Sequence, residues 1–382
     1  MNRLWNATSS RGRGPLRVLV VCDWFLRYVT PYVLALRSDG VEAAVLCRDH
    51  ALEFDGRREE RAELLARLRG AGVPIFVMPG RVSSPRAVTG AFRAALATRR
   101  WAPNVVHAQS EVHDPRMLAA IAGYPTALTV HDPELHWGSG RRPLRLRLLQ
   151  SAWRRRAQLL VTHGDALAAA LGARDGEVAV IPHGTMVAAE PMPLPEPPGV
   201  LLFGRLERYK GLGVLLEAME EVWARRPETR LIVAGKGLEA NGVPTDPRID
   251  ARLGYVPESQ VDELFRQASL AVLPYVDGSQ SGVGLRALGL GVPAIVTRVG
   301  ALPELALDDS YVVPPRDPRA LAAAIHAHLD DGLAVRSAVL ERTRRLFGWE
   351  AVAARATPVL AEVAARGRAG VAPPASGPEA GR

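Results

Sequence analysis

Arg205 and Lys210 flank a short turn in Leu202-Phe-Gly-Arg-Leu-Glu-Arg-Tyr-Lys-Gly211. Arg205 leaves the end of an apolar run, and Lys210 stands just before a helical pattern. A helix start offers unpaired amides and the positive end of its dipole, so two cations beside it suit an anion. A solvated basic turn is the competing reading. Of 48 basic residues only Lys210 and Lys236 are lysines, and both lie in glycine-flanked turns after apolar runs. Lysine is a compact point charge where arginine is a planar fork, so these turns fit a need for the smaller group; chance in so small a sample is the alternative. The second turn, Ala234-Gly-Lys-Gly237, carries Gly235 and Lys236, and its glycines permit close backbone approach to a ligand. A third loop, Pro274 to Val283, holds Ser279, Gln280, Ser281 and Gly282, with Ser281 placed to cap the next helix. No Walker loop and no Rossmann glycine fingerprint occurs.

The elements that position these turns alternate along the chain. Runs 17–23, 42–48, 74–78, 104–108, 127–131, 159–162 and 178–182 are rich in Val, Ile and Leu without polar alternation, as buried parallel strands are. Helical patterns such as 57–69 and 85–100 lie between them, the latter with Ser84 as N-cap and Pro85 at the first turn. Five prolines in residues 191–198 break the alternation and read as a stiff linker. Strands then resume at 199–203, 230–234, 251–255, 270–273 and 293–297, with helices near 211–225, 258–267 and 281–290. Helical patterns at 318–329, 333–346 and 350–366 close the chain. The expected organisation is a disordered tail 1–15, a doubly wound domain 16–184, the linker 185–198, and a second such domain 199–347. A helix near 348–366 packs back on the first domain, and 367–382 form a disordered tail. Two such domains put a ligand in the cleft at the carboxyl ends of their strands.

With 48% hydrophobic and 23% charged residues over 382 positions, the composition is that of a globular protein. Cys22 and Cys47 are the only cysteines and both fall in apolar runs, which argues against a disulfide framework and fits a reducing cytoplasm. The first apolar run, 18–22, is too short for a signal core or a membrane span. A net charge of +8 suits phosphorylated ligands, anionic lipid or nucleic acid. No recognised nucleic-acid motif accompanies it, and we expect no nucleic-acid partner.

In order along the chain stand VVHAQS (105–110), TVHDPELH (129–136), VIPHG (180–184), GRLERYKG (204–211), VAGKG (233–237), LGYVPESQVDELFRQASLAVLPY (253–275), ALGLGVPAIVTRVGALPEL (287–305) and VVPPRDPRALAAAI (312–325). This series resembles family 4 glycosyltransferases over roughly residues 16–365. The resemblance implies the GT-B fold, an α/β architecture of two Rossmann-like doubly wound domains facing each other across a cleft. It also implies sugar transfer from a nucleotide-diphosphate sugar, with retention of anomeric configuration. By the same resemblance Gly204, Arg205, Lys210, Gly235 and Lys236 bind the donor, with Arg205 and Lys210 neutralising its diphosphate. That role suits a reaction that expels a nucleoside diphosphate. His131 matches the histidine beside the donor sugar, and His107 reads as structural. His131 and His136 offer a pair for a metal, but no carboxylate or thiolate cluster supports one. With no Asp-x-Asp pair in the chain, we expect no metal and no cofactor beyond the donor itself.

The chain departs from the family at two glutamates eight residues apart, whose positions hold Gly278 and Arg286. An arginine cannot accept a hydrogen bond from a ribose. Ser279, Gln280, Ser281, Gly282 and Val283 resemble a variant donor loop. Arg286 either joins the diphosphate site as a third cation or pairs elsewhere. The glycine pair common after the first strand is replaced by Asp23-Trp-Phe-Leu-Arg-Tyr28, which makes Trp24, Arg27 and Tyr28 candidate acceptor contacts; a cover over the core is the other reading. The acceptor is expected to be a saccharide, a lipid-linked sugar or a small molecule. Residues 137–164 contain no acid but seven arginines, at 141, 142, 145, 147 and 154–156. Such a basic, leucine-rich segment suits peripheral contact with an anionic membrane, or a solvated face. The competing functions are a catalytically weak binding subunit of the same fold and a nucleotide-sugar epimerase.

Overall fold

The computed structural model describes residues 14–50, 52–54, 56–80, 85–111, 114–131, 144–172 and 177–369. Ser84, His136, Trp137, Arg141 and Arg142 lie outside them. Seven strands form the first sheet: β1 (Arg17–Cys22), β2 (Glu42–Arg48), β3 (Ile75–Met78), β4 (Val105–Ala108), β5 (Thr126–Thr129), β6 (Leu159–Thr162) and β7 (Val178–Val180). Their order is β3-β2-β1-β4-β5-β6-β7, all parallel. Helices α1 (Leu26–Ser38) and α2 (Arg58–Gly70) pack on one face; α3 (Pro85–Trp101), α4 (Pro115–Ala120) and α5 (Leu144–Arg156) cover the other, and α6 (Asp165–Ala170) joins β6 to β7. Covered on both faces, β1, β2, β4 and β5 bury almost every residue, which is why they read as unbroken apolar runs.

A second parallel sheet follows: β8 (Gly199–Phe203), β9 (Arg230–Gly235), β10 (Ile249–Leu253), β11 (Leu270–Leu273), β12 (Ala294–Thr297) and β13 (Val312–Val313), in the order β10-β9-β8-β11-β12-β13. Around it lie α7 (Leu212–Arg225), α8 (Glu258–Arg266), α9 (Gly282–Gly289) and α10 (Pro318–His328), then α11 (Leu333–Phe347). β10 begins two residues earlier than its apolar run suggested, and the two-residue β13 was not expected. In both sheets the winding direction reverses beside the first strand, at β1/β4 and at β8/β11, so a crevice opens there at the strands' carboxyl ends.

Between the sheets, residues 186–198 form neither helix nor strand and are tied down by side chains of α11. Arg336 is fully buried; its guanidinium donates to the carbonyls of Met192 (3.3 Å), Pro193 (3.2 Å) and Ala268 (2.7 Å). The last helix, α12 (Trp349–Ala369), buries Val352, Ala356, Leu360 and Val363 against α1 and the first sheet.

Candidate active site

The two crevices face each other across a cleft of about 720 Å³. Three loops at the carboxyl ends of β8, β9 and β11 build one wall. They are locked together by close backbone approach. Gly235 has φ +137°, and a Cβ there would fall 1.7 Å from the Gly204 carbonyl oxygen. Gly211, at φ +73°, lets α7 start where a Cβ would meet the Pro274 carbonyl at 1.9 Å. Tyr209 then accepts at its carbonyl from the Val276 amide (2.8 Å), joining the first loop to the third.

On this frame Arg205 is exposed and lines the cleft with Gly204, Gly235 and Lys236. Lys210 is not on that wall. It is 8% exposed, and its ammonium donates to the Tyr275 hydroxyl while lying 4.2 Å from the Tyr275 ring centre. The Tyr275 hydroxyl in turn sits 2.9 Å from Ser281 Oγ, and that oxygen accepts from the Gly284 amide (3.2 Å) as the N-cap of α9. Gly282 and Val283, whose amides begin the helix, line the cleft. A buried ammonium is thus wired to the start of α9 beside an exposed arginine.

The rest of the third loop points elsewhere. Ser279 is buried, and Gln280 crosses to the first half, its side-chain amide donating to the His163 carbonyl (3.1 Å). Arg286 lines the cleft but is paired with α8, to Asp262 (Nε–Oδ1 3.0 Å) and Glu258 (3.3 Å).

The facing wall comes from the first half. Trp24, Phe25, Arg27, Tyr28 and Glu53 line it with His183 and Trp349. Trp24 is 43% exposed, whereas Tyr28 is buried with its ring against His183 (4.5 Å) and Trp349 (5.0 Å), and burial pushes its phenol pKa up. Arg27 is bonded to Glu60 and reaches across to the Tyr255 hydroxyl (3.2 Å). Phe25 is left-handed at φ 71°, ψ 31°, a conformation costing about 1–3 kcal/mol for such a residue.

His131 lies just behind this wall. Its Nε2 donates to the Gln109 carbonyl (2.6 Å), its Nδ1 is 3.1 Å from His163 Nε2, and the Phe25 ring lies 4.5 Å away. Both ring nitrogens of His131 thus face protein partners, and the Phe25 ring stands between it and the cleft lining. His107 bonds Tyr32 (2.9 Å) and Thr129 (3.0 Å) deeper in the sheet. Burial pushes the imidazole pKa of His107 and of His183 down to about 3 and lowers that of His163 well below its ordinary value. Phe25, Glu53, His163, Tyr255, Glu258 and Trp349 were not singled out from the sequence. Phe25 left a signal there as part of the aromatic loop that replaces a glycine pair, and Tyr255 and Glu258 stand inside the run 253–275 without a role read for them.

Comparison with known proteins agrees with this architecture. The family described as "Glycosyltransferase Family 4" matches residues 27–188, and "Glycosyl transferases group 1" matches residues 197–331. A glycogen synthase of Mycobacterium tuberculosis is 29% identical over 280 residues, 67% of this chain and 68% of its own. A D-inositol 3-phosphate glycosyltransferase of Thermobispora bispora is 34% identical over 195 residues, 45% of each chain. Among solved structures, a sucrose-phosphate synthase of Thermosynechococcus elongatus superposes with a TM-score of 0.68 at 17% identity, over 92% of this chain and 100% of that one. Anabaena HepE in complex with UDP and glucose gives 0.64 at 15%, over 91% and 99%.

The fold is GT-B, and the family matches make the chain a glycosyltransferase that uses a nucleotide-sugar donor. Within that class the chain belongs to glycosyltransferase family 4.

Proposed function

We propose that this enzyme binds the donor diphosphate between Arg205, Lys210 and the start of α9, and transfers the sugar with retention to an acceptor on the first-half wall. The observation that carries the reading is the Lys210–Tyr275–Ser281 chain, which fixes a buried ammonium at the helix start beside exposed Arg205. Fixed positive charge there stabilises the nucleoside diphosphate as it leaves. UDP is the natural first probe, because the related HepE was solved with UDP and with UDP-glucose. Gly204, Gly235, Lys236, Gly282 and Val283 supply close backbone on the donor side. Ser279, Ser281 and Gln280 act from behind it, and Arg286 shapes the wall as a paired residue. His131 supports the donor sugar from behind the Phe25 ring. We expect Arg205→Ala and Lys210→Ala each to weaken UDP binding by at least tenfold, measured by calorimetry; unchanged affinity in both would overturn the site.

On this reading the working unit is two domains, 16–184 and 199–347, joined at 185–198 and closed by the last helix. A cytoplasmic location fits two free, buried cysteines, Cys22 and Cys47. Among the described residues no helix is long and apolar enough to cross a membrane. Peripheral contact with an anionic membrane is supported by α5, where Leu144, Leu148 and Arg155 are exposed along one face. The contact is narrower than the sequence suggested. Trp153 is fully buried, Arg154 is paired with Glu111, and Arg156 donates to the carbonyls of Ile121 and Tyr124. Sedimentation with phosphatidylserine vesicles checks it: Leu148→Glu should abolish a salt-sensitive association.

A further inference from the structure

The β1–α1 loop is built to present aromatic rings at a conformational cost. Phe25 occupies the left-handed region as the residue before α1 and offers no side-chain oxygen to the helix's first amides. An asparagine or glycine there would take the conformation readily, and an asparagine would cap as well. Here the capping is delegated instead. Glu53, from a separate turn 27 residues away in sequence, accepts from the Leu26 amide (2.7 Å) and the Arg27 amide (3.0 Å). What this arrangement preserves is the Phe25 ring, set against His131 on the cleft wall, with exposed Trp24 beside it.

The charge on that wall narrows what it can receive. Among its described first-half residues Arg27 is the only arginine or lysine, and it is committed to Glu60 and Tyr255. A phosphorylated acceptor calls for charge-assisted bonds that this wall does not offer. Indole and phenyl faces instead match the apolar C–H faces of a sugar ring, with the sugar's hydroxyls left to water and to backbone.

Taking the donor to lie on the Arg205 side, as proposed above, we infer that the acceptor is a neutral saccharide whose ring lies on Trp24 and Phe25, and that Glu53 is the positioning residue that holds the pair. Glu53 does so as a carboxylate, because protonation replaces an acceptor oxygen with a donor. The charged and titratable groups facing it are Arg27 from α1, His50 from the turn after β2 and Cys22 from β1. Burial raises its carboxyl above the ordinary 4.5, so the loop loosens on the acid side.

The test uses the full chain loaded with UDP and a panel of neutral gluco-, galacto- and manno-oligosaccharides beside their 6-phosphates, with binding read by calorimetry. A neutral oligosaccharide should bind, and Trp24→Ala and Glu53→Gln should each weaken it at least tenfold. Trp24 is exposed enough that its loss does not threaten the fold. In wild type the saccharide affinity should fall as pH is lowered toward the carboxylate range, and Glu53→Gln should flatten that profile, which a merely structural carboxylate would not predict. Binding of the phosphates alone, of no panel member, or undiminished binding by Trp24→Ala would each overturn the inference. Failure of the wild type to bind UDP is a separate result, and it would sink the donor site rather than this wall.

Discussion

Lys210 is held in place as much by its neighbours as by its charge. Its ammonium is buried with the Tyr275 hydroxyl as acceptor, and that hydroxyl hands the connection on to Ser281. Tyr275→Phe keeps the ring and the cation–π contact but removes the oxygen. A buried ammonium with one acceptor fewer costs about 1–3 kcal/mol. Part of that cost returns when a phosphate fills the gap. The expected outcome is a melting temperature lowered by a few degrees in the apo protein and a smaller deficit with UDP bound, both read by thermal unfolding. Arg286 behaves differently, since its partners are Asp262 and Glu258 rather than loop residues of the diphosphate site. Arg286→Glu would set three carboxylates together at the cleft edge. It should lower stability by about 1 kcal/mol in urea titration, the size expected of a partly exposed pair, while UDP affinity changes little.

Element by element, the parts that were legible in the sequence are those whose signal is local. Strands of a parallel sheet buried on both faces are apolar throughout, so β1, β2, β6, β8 and β11 stand out with boundaries correct to about one residue. β10 was read two residues late, because the strand is only partly buried and carries Asp250 and Arg252. The N-cap at Ser281 was legible for the same local reason. Ser281→Ala should cost about 1 kcal/mol, as loss of a helix cap does, measured by urea unfolding. What no local pattern shows is capping from afar. Glu53 looks like a surface acid in a short turn, and only the folded chain places it on the amides of α1. His163 and His131, 32 residues apart, meet only because β5 and β6 are neighbours. Gln280 was read into the donor loop, and its contact with the His163 carbonyl depends on how the two halves face each other.

At the scale of the whole molecule, the first half carries a set of imidazoles buried without charge, and this sets how the protein responds to acid. His107 is 2% exposed between Tyr32 and Thr129, and burial lowers its pKa from 6.5 to about 3. His163 is equally buried and shifted in the same direction, with His131 and His183 adding to the effect. In the unfolded chain these rings protonate near 6.5, whereas in the fold they do not. The folded value is therefore depressed, and the sign follows. Stability is fully present above pH 6.5 and falls as pH drops from there toward 3, because the unfolded state takes up protons that the native state refuses. Each such histidine contributes a slope of about 1.4 kcal/mol per pH unit once it is fully protonated in the unfolded chain. For His107 this amounts to a loss of about 2 kcal/mol between pH 6.5 and 5, and His163 adds to the loss in the same direction. Denaturant unfolding at pH 7, 6 and 5 should show this fall, and His107→Gln should remove about one histidine's worth of the slope while lowering stability at pH 7 through its lost contacts. A variant with an unchanged slope would mean that His107 is charged in the fold, against its burial among Tyr32, Thr129 and the core of β4.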